Sequence, residues 1–544
     1  MRRQRWIGAG VFAAALALRL LHLQQVAAHD PFYDQPSVDS LIYVEWAKRI
    51  AGGDWLGTEP FFLSPLYGYL VALVYWIAGP GPFWPLAVNA VLGAGACALV
   101  YALAARLFDG RAALLAALLA ASYPLEIFYE GAPLLEALQS FLTTAVVWAA
   151  VRALEGPTAL RFEAAGALLG LSALARQNTL LFAPLFAVWV AVSLAPWRPT
   201  RQSVAYAGAF LLAVALTLAP ATLYNWAASG DLVIGNATGG LLLYDSWNPS
   251  ASATYSIPAI FPRALADDPI ERKGAYTALA QRALGRSPLR ASEVSAYWRG
   301  EALAFVGAEP ARALAIALER ARLFWNRGEP WDVRSLTVSR ESSWVLRLPL
   351  PGFGVIAPLA LAGMVLAAPR WRRLAPLYAM VLVYFVSGVL FVALSRYRVP
   401  AVPLLAVFAG AGAVALWDAA RARDFRRAAL AAGLVALAAF LVNWDEPSED
   451  LSMAYFNLGN AYKEHSQFEL ATDQYFKSLE LAPGYISTWN NLALVYERSG
   501  VDRQLTARTW QRVLDLARAQ GSSVHAERHL HALETTAPEA PRPE

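Results

Sequence analysis

The sequence predicts an all-α integral membrane protein: a bundle of about eleven transmembrane helices, a helical extracytoplasmic cap and a C-terminal pair of helical repeats. Three observations carry this. Apolar residues make up 57% of the 544 and charged residues 16%, with a mean hydropathy of +0.38, outside the profile of a soluble domain. Apolar stretches near the roughly 20 residues that cross a bilayer recur along most of the chain. The arginines between them fall on alternate loops, as they do when basic loops stay on the cytoplasmic side.

The first stretch, Trp6 to Leu23, follows the basic flank Arg2-Arg3-Gln4-Arg5. Its length and the many spans after it favour a retained anchor over a cleaved signal peptide, despite the Ala27-Ala28-His29 sequence at its end. With this span running outward, later ones are expected near 84–106, 111–128, 134–153, 162–176, 179–196, 203–222, 351–368, 374–394, 399–417 and 428–443. Arg106 and Arg111, Arg152 and Arg161, Arg198 and Arg201, Arg370 to Arg373 and the cluster Arg421 to Arg427 then all face the cytoplasm. The stretch from Pro65 to Ala78 is too short to cross and would reverse that register, so it reads as an interfacial or re-entrant helix on the outer face.

The resulting domains are 1–222, an N-terminal membrane module with a first outer loop at 25–83; 223–350, a large outer loop or cap; 351–443, the C-terminal spans; 450–520, repeats; and 521–544, a flexible tail. Cap helices are expected at 269–284, 291–305 and 309–326, between Gly and Pro. The repeats are read from Tyr455, Leu458, Gly459, Tyr462, Ala471, Tyr475 and Pro483, at tetratricopeptide offsets, with Trp489, Leu492, Ala493 and Tyr496 one period later. Two such repeats are fewer than the three usually needed to stand alone, so they are expected to dock on the cap or on another subunit, and they favour a protein acceptor or partner. The tail from Thr535 is Pro/Glu-rich, and His525, His529 and His531 read as a solvated helix end rather than a metal site.

The net charge of +4 is accounted for by the topology arginines, and no basic-aromatic motif for nucleic acid is present. The single cysteine, Cys97, forms no intrachain disulfide. Ionisable residues at the outer ends of spans carry the chemistry, because burying charge near lipid is expensive. Asp34 and Asp39 lie in the first loop, Glu126, Glu130 and Glu136 flank the third-to-fourth turn, Arg176 lies at the fifth-to-sixth turn, and Arg396, Tyr397 and Arg398 at the ninth-to-tenth. Carboxylates suit proton abstraction, and guanidinium groups suit phosphate oxygens. A phosphate bound at membrane depth points to a lipid-linked substrate. Each residue also has a structural reading: Arg176 as a snorkelling side chain, Arg396 and Arg398 as headgroup contacts, Asp39 as a helix N-cap. A divalent cation would find oxygen ligands in Asp39 with Glu130 or Glu136, but no spacing specifies a metal. No cofactor is indicated.

In order and spacing, several motifs together resemble the GT-C superfamily of polyprenyl-phosphate-sugar glycosyltransferases, in the branch of protein O-mannosyltransferases and lipid A aminoarabinose transferases. They are Asp39 with Tyr43, Trp46 and Gly52-Gly53; Ser64-Pro65-Leu66-Tyr67; Arg106 to Arg111; Arg176-Gln177-Asn178; Asn236 to Gly240 with Tyr244 and Asn248; and Arg396-Tyr397-Arg398-Val399-Pro400. The resemblance spans about residues 1–420. It implies transfer of a sugar from a polyprenyl-phosphate donor, undecaprenyl in type, by a single inverting displacement. Asp39 is the implied base, Glu136 or Glu130 the second acid, and Arg176, Tyr397 and Arg398 the donor-phosphate contacts, with Asp34 and Arg396 beside them as substrate-binding residues. It also implies a multi-pass inner (plasma) membrane location with the site and repeats outside. The second acid is Glu where several relatives have Asp, and the first loop lacks the Asp-Glu pair of the mannosyltransferases, so the acceptor is not inherited. Competing readings are an oligosaccharide ligase or polymerase, weakened by a large loop without histidine, a scaffold recruiting partners through its repeats, and a transporter, weakened by charges gathered at one face.

Overall fold

The computed structural model describes residues 2–519 except 37, 195–197, 255, 257, 262–268, 331–333 and 446–449. The three C-terminal histidines and the Pro/Glu-rich tail lie outside the described residues. Among the described residues the regular structure is all helical and contains no strand. It divides into two compact units, one from the described residues of Met1–Ala28, Val38–Asp332 and Ser343–Pro447, the other from those of His29–Ser37, Val333–Ser342 and Ser448–Glu544.

In the first unit, seven helices have the length and composition to cross a membrane: Gln4–His29, Phe83–Leu107, Glu136–Glu155, Arg201–Ser229, Phe353–Leu390, Ser395–Arg421 and Phe425–Asn443. An eighth arises if Gly110–Ala121 and Pro124–Glu130, bent by 51°, act as one. The count differs from about eleven for local reasons. Pro124 begins a new helix and splits the expected third span, whereas the break at Arg176, between Ala159–Ala175 and Gln177–Leu181, falls at the expected fifth-to-sixth turn. Gln177–Ser193 and Pro65–Ala78 are apolar but short. The expected spans at 351–368 and 374–394 form Phe353–Ala367 and Trp371–Leu390, joined through a 3-10 turn at Ala368–Arg370 into one apolar stretch.

Small residues let these helices meet backbone to backbone, the packing that replaces the hydrophobic effect in lipid. A Cβ on Gly363 would lie 2.0 Å from the Phe408 carbonyl oxygen, and one on Gly412 would lie 2.5 Å from that of Leu359. Gly410 abuts the neighbouring helix, where a Cβ would come within 2.3 Å of the Ala112 carbonyl oxygen. The first helix is anchored differently. Its Arg19, buried in the bundle, forms an ion pair with Glu130 at 2.6 Å and donates to the Ala15 and Ala121 carbonyls. Gly93 makes this possible, since a Cβ there would overlap the Glu130 carboxylate.

The large loop folds as Pro269–Leu284, Ala291–Ala308 and Pro310–Trp325, at nearly the expected positions, with Gly239–Ser246 packed beside them. Tyr244, Trp247, Tyr276, Trp298, Phe305 and Ile316 form its core. Buried Arg320 crosses this core, donating to the Ser246, Ser252 and Ala253 carbonyls with its guanidinium 4.7 Å from the Trp247 ring.

In the second unit, Leu451–Glu464, Phe468–Leu481, Ile486–Ser499 and Arg503–Ala519 pack each on the next. Gly459 admits Tyr475, whose ring stands where a Cβ would fall, and Ala471, Tyr475, Leu492 and Tyr496 fill the space between helices. This is the large-into-small fit that the repeat pattern encodes. Two earlier chain segments complete the unit through ionic contacts: Asp30 with Arg334, Glu341 with Lys477 at 3.5 Å, and Asp34 with His465 at 2.7 Å. A hydrogen bond to the Ala461 carbonyl, followed by the Asp34 contact, raises the His465 pKa above its ordinary value.

This packing can be tested in both units. Gly410→Val forces a side chain into a backbone contact and should lower stability by about 1–3 kcal/mol, whereas Gly433→Val, with nothing within 4 Å of the new Cβ, should leave the melting point in detergent unchanged; equal melting of the two variants would refute the contact. Because the His465 pKa is raised on folding, its stabilisation is complete below about pH 6.5 and is lost as pH rises through the folded value. Amide exchange across residues 30–36, corrected for intrinsic rate, should therefore quicken as pH rises above about 6.5, and His465→Gln should remove that dependence.

Candidate active site

Four of the sequence-selected residues meet in the first unit, each from a different segment. Asp39 is the first residue of Asp39–Ala51, and Glu136 is the first of Glu136–Glu155. Arg176 occupies the extended break after Ala159–Ala175. Arg396 sits in the one-turn helix Ser395–Arg398 that precedes a long apolar span. Every one lies where a helix starts or breaks, so its side chain reaches past the helix end instead of into the apolar lateral contacts.

Arg396 joins the carboxylates. Its Nε donates to Glu136 Oε1 and its Nη1 to Asp39 Oδ2, both at 2.9 Å. Arg176 Nη2 donates to the same Glu136 oxygen at 2.8 Å. The side chains of Glu136 and Arg396 are 1% and 5% exposed, Arg176 is 14% exposed and Asp39 is 26% exposed, so the cluster opens to solvent on the Asp39 side. Asp39 does not cap its helix: the N-cap is Val38 and no side chain bonds the first-turn amides. Its carboxylate is instead committed to Arg396.

Tyr397 backs the two guanidiniums, with the Arg176 Cζ 4.8 Å and the Arg396 Cζ 5.8 Å from its ring centre, the distance at which a ring face attracts a cation. Glu136 Oε2 and Arg176 Nη1 are buried and make no hydrogen bond among the described residues. Both are strong hydrogen-bonding atoms left open at the centre of the cluster, where a buried group without a partner is expensive. Tyr43, one turn beyond Asp39, is fully buried and packs edge-on against Tyr67 at 5.1 Å. Burial, reinforced by the nearby Asp39 carboxylate, pushes its phenol well above the ordinary range; it stays protonated at neutral pH.

Beneath Glu136 lies a polar network that the sequence reading missed. Gln139 Nε2 donates to Tyr384 OH at 2.9 Å and Ser172 Oγ at 3.0 Å, and Thr143 shares a 2.7 Å hydrogen bond with the same phenol. It ties the first turns of the Glu136 helix to the helices that precede Arg176 and Arg396. Its signal was legible: Glu136, Gln139, Ser140, Thr143 and Thr144 recur at helical spacing within an otherwise apolar stretch.

Other selected residues are placed elsewhere. Glu130 is paired with Arg19, and Asp34 belongs to the second unit, on His465. Arg398 turns away from the cluster. Its Nη1 donates to the Leu323, Phe324 and Asn326 carbonyls, and its Nη2 to the Gly328 carbonyl and to Glu329 at 2.8 Å. It thus caps the C-terminal end of Pro310–Trp325, where unpaired carbonyls attract a cation, and its donors serve the fold. Among the described residues no group of three or more His, Cys, Asp or Glu side chains assembles a metal site.

Residues 60–223 match the family described as dolichyl-phosphate-mannose-protein mannosyltransferase. The fold is similar to that of the Archaeoglobus fulgidus oligosaccharyltransferase in its apo form, with a TM-score of 0.44 and 17% identity, covering 82% of this chain and 57% of that one. ArnT from Cupriavidus metallidurans, solved bound to undecaprenyl phosphate, is similar with a TM-score of 0.36 and 15% identity, covering 76% of this chain and 80% of that one. The chain therefore spans under two thirds of the archaeal protein's length. Over 55 residues the chain is 34% identical to the tetratricopeptide repeat domain-containing protein PYG7, chloroplastic, of Arabidopsis thaliana, covering 10% of this chain and 18% of that protein. The family match covers residues 60–223 of a chain whose described residues include seven helices of membrane-spanning length and composition.

Proposed function

We propose that this protein transfers a sugar from a polyprenyl-phosphate donor, undecaprenyl in type, to an extracytoplasmic acceptor. The observation that carries the reading is the Arg396 guanidinium, which touches Asp39 on one side and Glu136 on the other, with Arg176 converging on the same Glu136 oxygen. A partly open carboxylate next to two converging guanidiniums supplies a base and an anion clamp within one site. The matched family is itself named for a polyprenyl-phosphate sugar donor.

In the proposed step the acceptor gives its O–H or N–H proton to the Asp39 carboxylate as the acceptor atom bonds to the anomeric carbon. The bond from that carbon to the phosphate oxygen breaks, and its electron pair leaves with the polyprenyl phosphate. Inversion follows from a single displacement. The leaving phosphate gains negative charge, which Arg176 and Arg396, fixed in place and largely shut from water, stabilise. Glu136 positions both guanidiniums through one oxygen, and Tyr397 supports them from behind.

Positive-inside placement of the arginine loops supports an N-terminus in the cytoplasm and the site on the outer face of the plasma membrane. The helical repeats favour a protein as acceptor or partner.

Assays in detergent with a panel of polyprenyl-phosphate sugars test the reading. Asp39→Asn should slow transfer by about 10²–10⁴-fold without weakening donor binding; normal turnover would remove Asp39 as base. Arg176→Ala should weaken donor binding by about 10–100-fold, the loss of one charge-assisted contact to phosphate, and unchanged affinity would assign Arg176 to the fold instead.

A further inference from the structure

We infer that Arg396 is a latch on the base: in the ligand-free molecule it holds Asp39, and a phosphate entering the clamp releases it, so that the donor binds before the acceptor is activated. The inference rests on the clamp reading above and adds to it the order of events.

The geometry makes the two halves of the site compete for one guanidinium. Arg396 presents Nε to Glu136 and Nη1 to Asp39. Phosphate binds arginine through two adjacent N–H groups. Each such edge, Nε with Nη2 or Nη1 with Nη2, includes a nitrogen already engaged by a carboxylate. A phosphate drawn in by the open Nη1 of Arg176 therefore competes for Arg396 with the carboxylates already bound to it. The Glu136 bond is the one reinforced by the second arginine, since both guanidiniums share its Oε1. Asp39 has a single ion-pair partner among the described residues and the greater exposure, 26% against 1% for Glu136, and is the carboxylate that lets go.

The backbone at Asp39 is built to move when it does. Val38, immediately before it, has φ 49° and ψ −122°, a conformation that a β-branched residue adopts only under constraint, at a cost of about 1–3 kcal/mol. The helix that Val38 opens has no side-chain cap to hold its first turn. Arg396 is thus one of the contacts that keep this turn in place, and removing it lets Val38 relax and Asp39 swing outward toward an acceptor. By linkage, whatever donor occupancy does to Asp39, a group bound at Asp39 does equally to donor affinity.

The test needs neither the sugar nor the acceptor. Purified full-length protein is treated with a water-soluble carbodiimide and glycine ethyl ester, with and without undecaprenyl phosphate, and amidation of Asp39 is followed by peptide mass spectrometry; binding of the probe is measured in parallel. Undecaprenyl phosphate should speed Asp39 amidation in the wild type by at least about fivefold. Arg396→Gln should label fast with or without the probe, and Arg396→Lys should retain part of the dependence. If the probe binds and wild-type labelling is unchanged or slower, the latch is wrong while the clamp stands. If the probe does not bind, or binds equally to Arg176→Ala, the clamp reading fails and the latch fails with it. The wild-type comparison alone decides the matter should either variant not fold.

Discussion

The arrangement of the site depends on the ionisation of Glu136. A carboxylate wholly buried at the head of a membrane-length helix is unsustainable alone, because the penalty for removing an ion from water exceeds any single hydrogen bond. Two guanidiniums, from a break after one helix and a turn before another, converge on its Oε1. That demand places Arg176 and Arg396 side by side, two like charges that would repel without the carboxylate between them. Asp39 then balances the second positive charge. Four segments that begin far apart in sequence are drawn to one point by charge neutrality.

The surrounding module supplies the rigidity this balance needs. Ion pairs between helices position their members only as well as the helices are fixed, and here the helices approach through Gly363, Gly410 and Gly412 with no side chains between their backbones. The Gln139–Tyr384–Ser172 network repeats the principle with neutral groups, a turn below the charged layer. Arg398 and Glu329 bind the last cap helix to the turn that carries Arg396. Fold and site are therefore coupled at the Ser395–Arg398 turn.

Much of this was legible in the sequence and part was not, for identifiable reasons. Asp39, Glu136, Arg176 and Arg396 stand out because an ionisable group at the end of an apolar stretch is too costly to keep without a role. The cap helices stand out because Gly and Pro delimit them. Glu130 is indistinguishable from Glu136 by that test: both are acids beside the same turn, and only the fold shows that Arg19, 111 residues earlier, takes one of them. Asp34 is selected alongside Asp39 as an acid of the first loop, yet five residues suffice to carry it into another unit. Hydropathy registers apolar length but not the helix break at Pro124 or the shortness of Gln177–Ser193, so the expected third and sixth spans are not continuous helices of membrane length.

Arg396 and Arg398 show the limit most clearly. They are two residues apart in one turn, equally basic, equally buried, and share the motif that selects them. A helix advances about 100° per residue, so two residues apart they point to nearly opposite sides of the axis. One side faces the carboxylates of the site; the other faces the unpaired carbonyls at the end of Pro310–Trp325. Composition selects the turn, but rotation about its axis decides which arginine meets Asp39 and Glu136 and which holds the cap helix. The rotation follows from Glu136 and Glu329, one carboxylate on each side. The same electrostatic demand that assembles the site thus also ties the site to the cap above it.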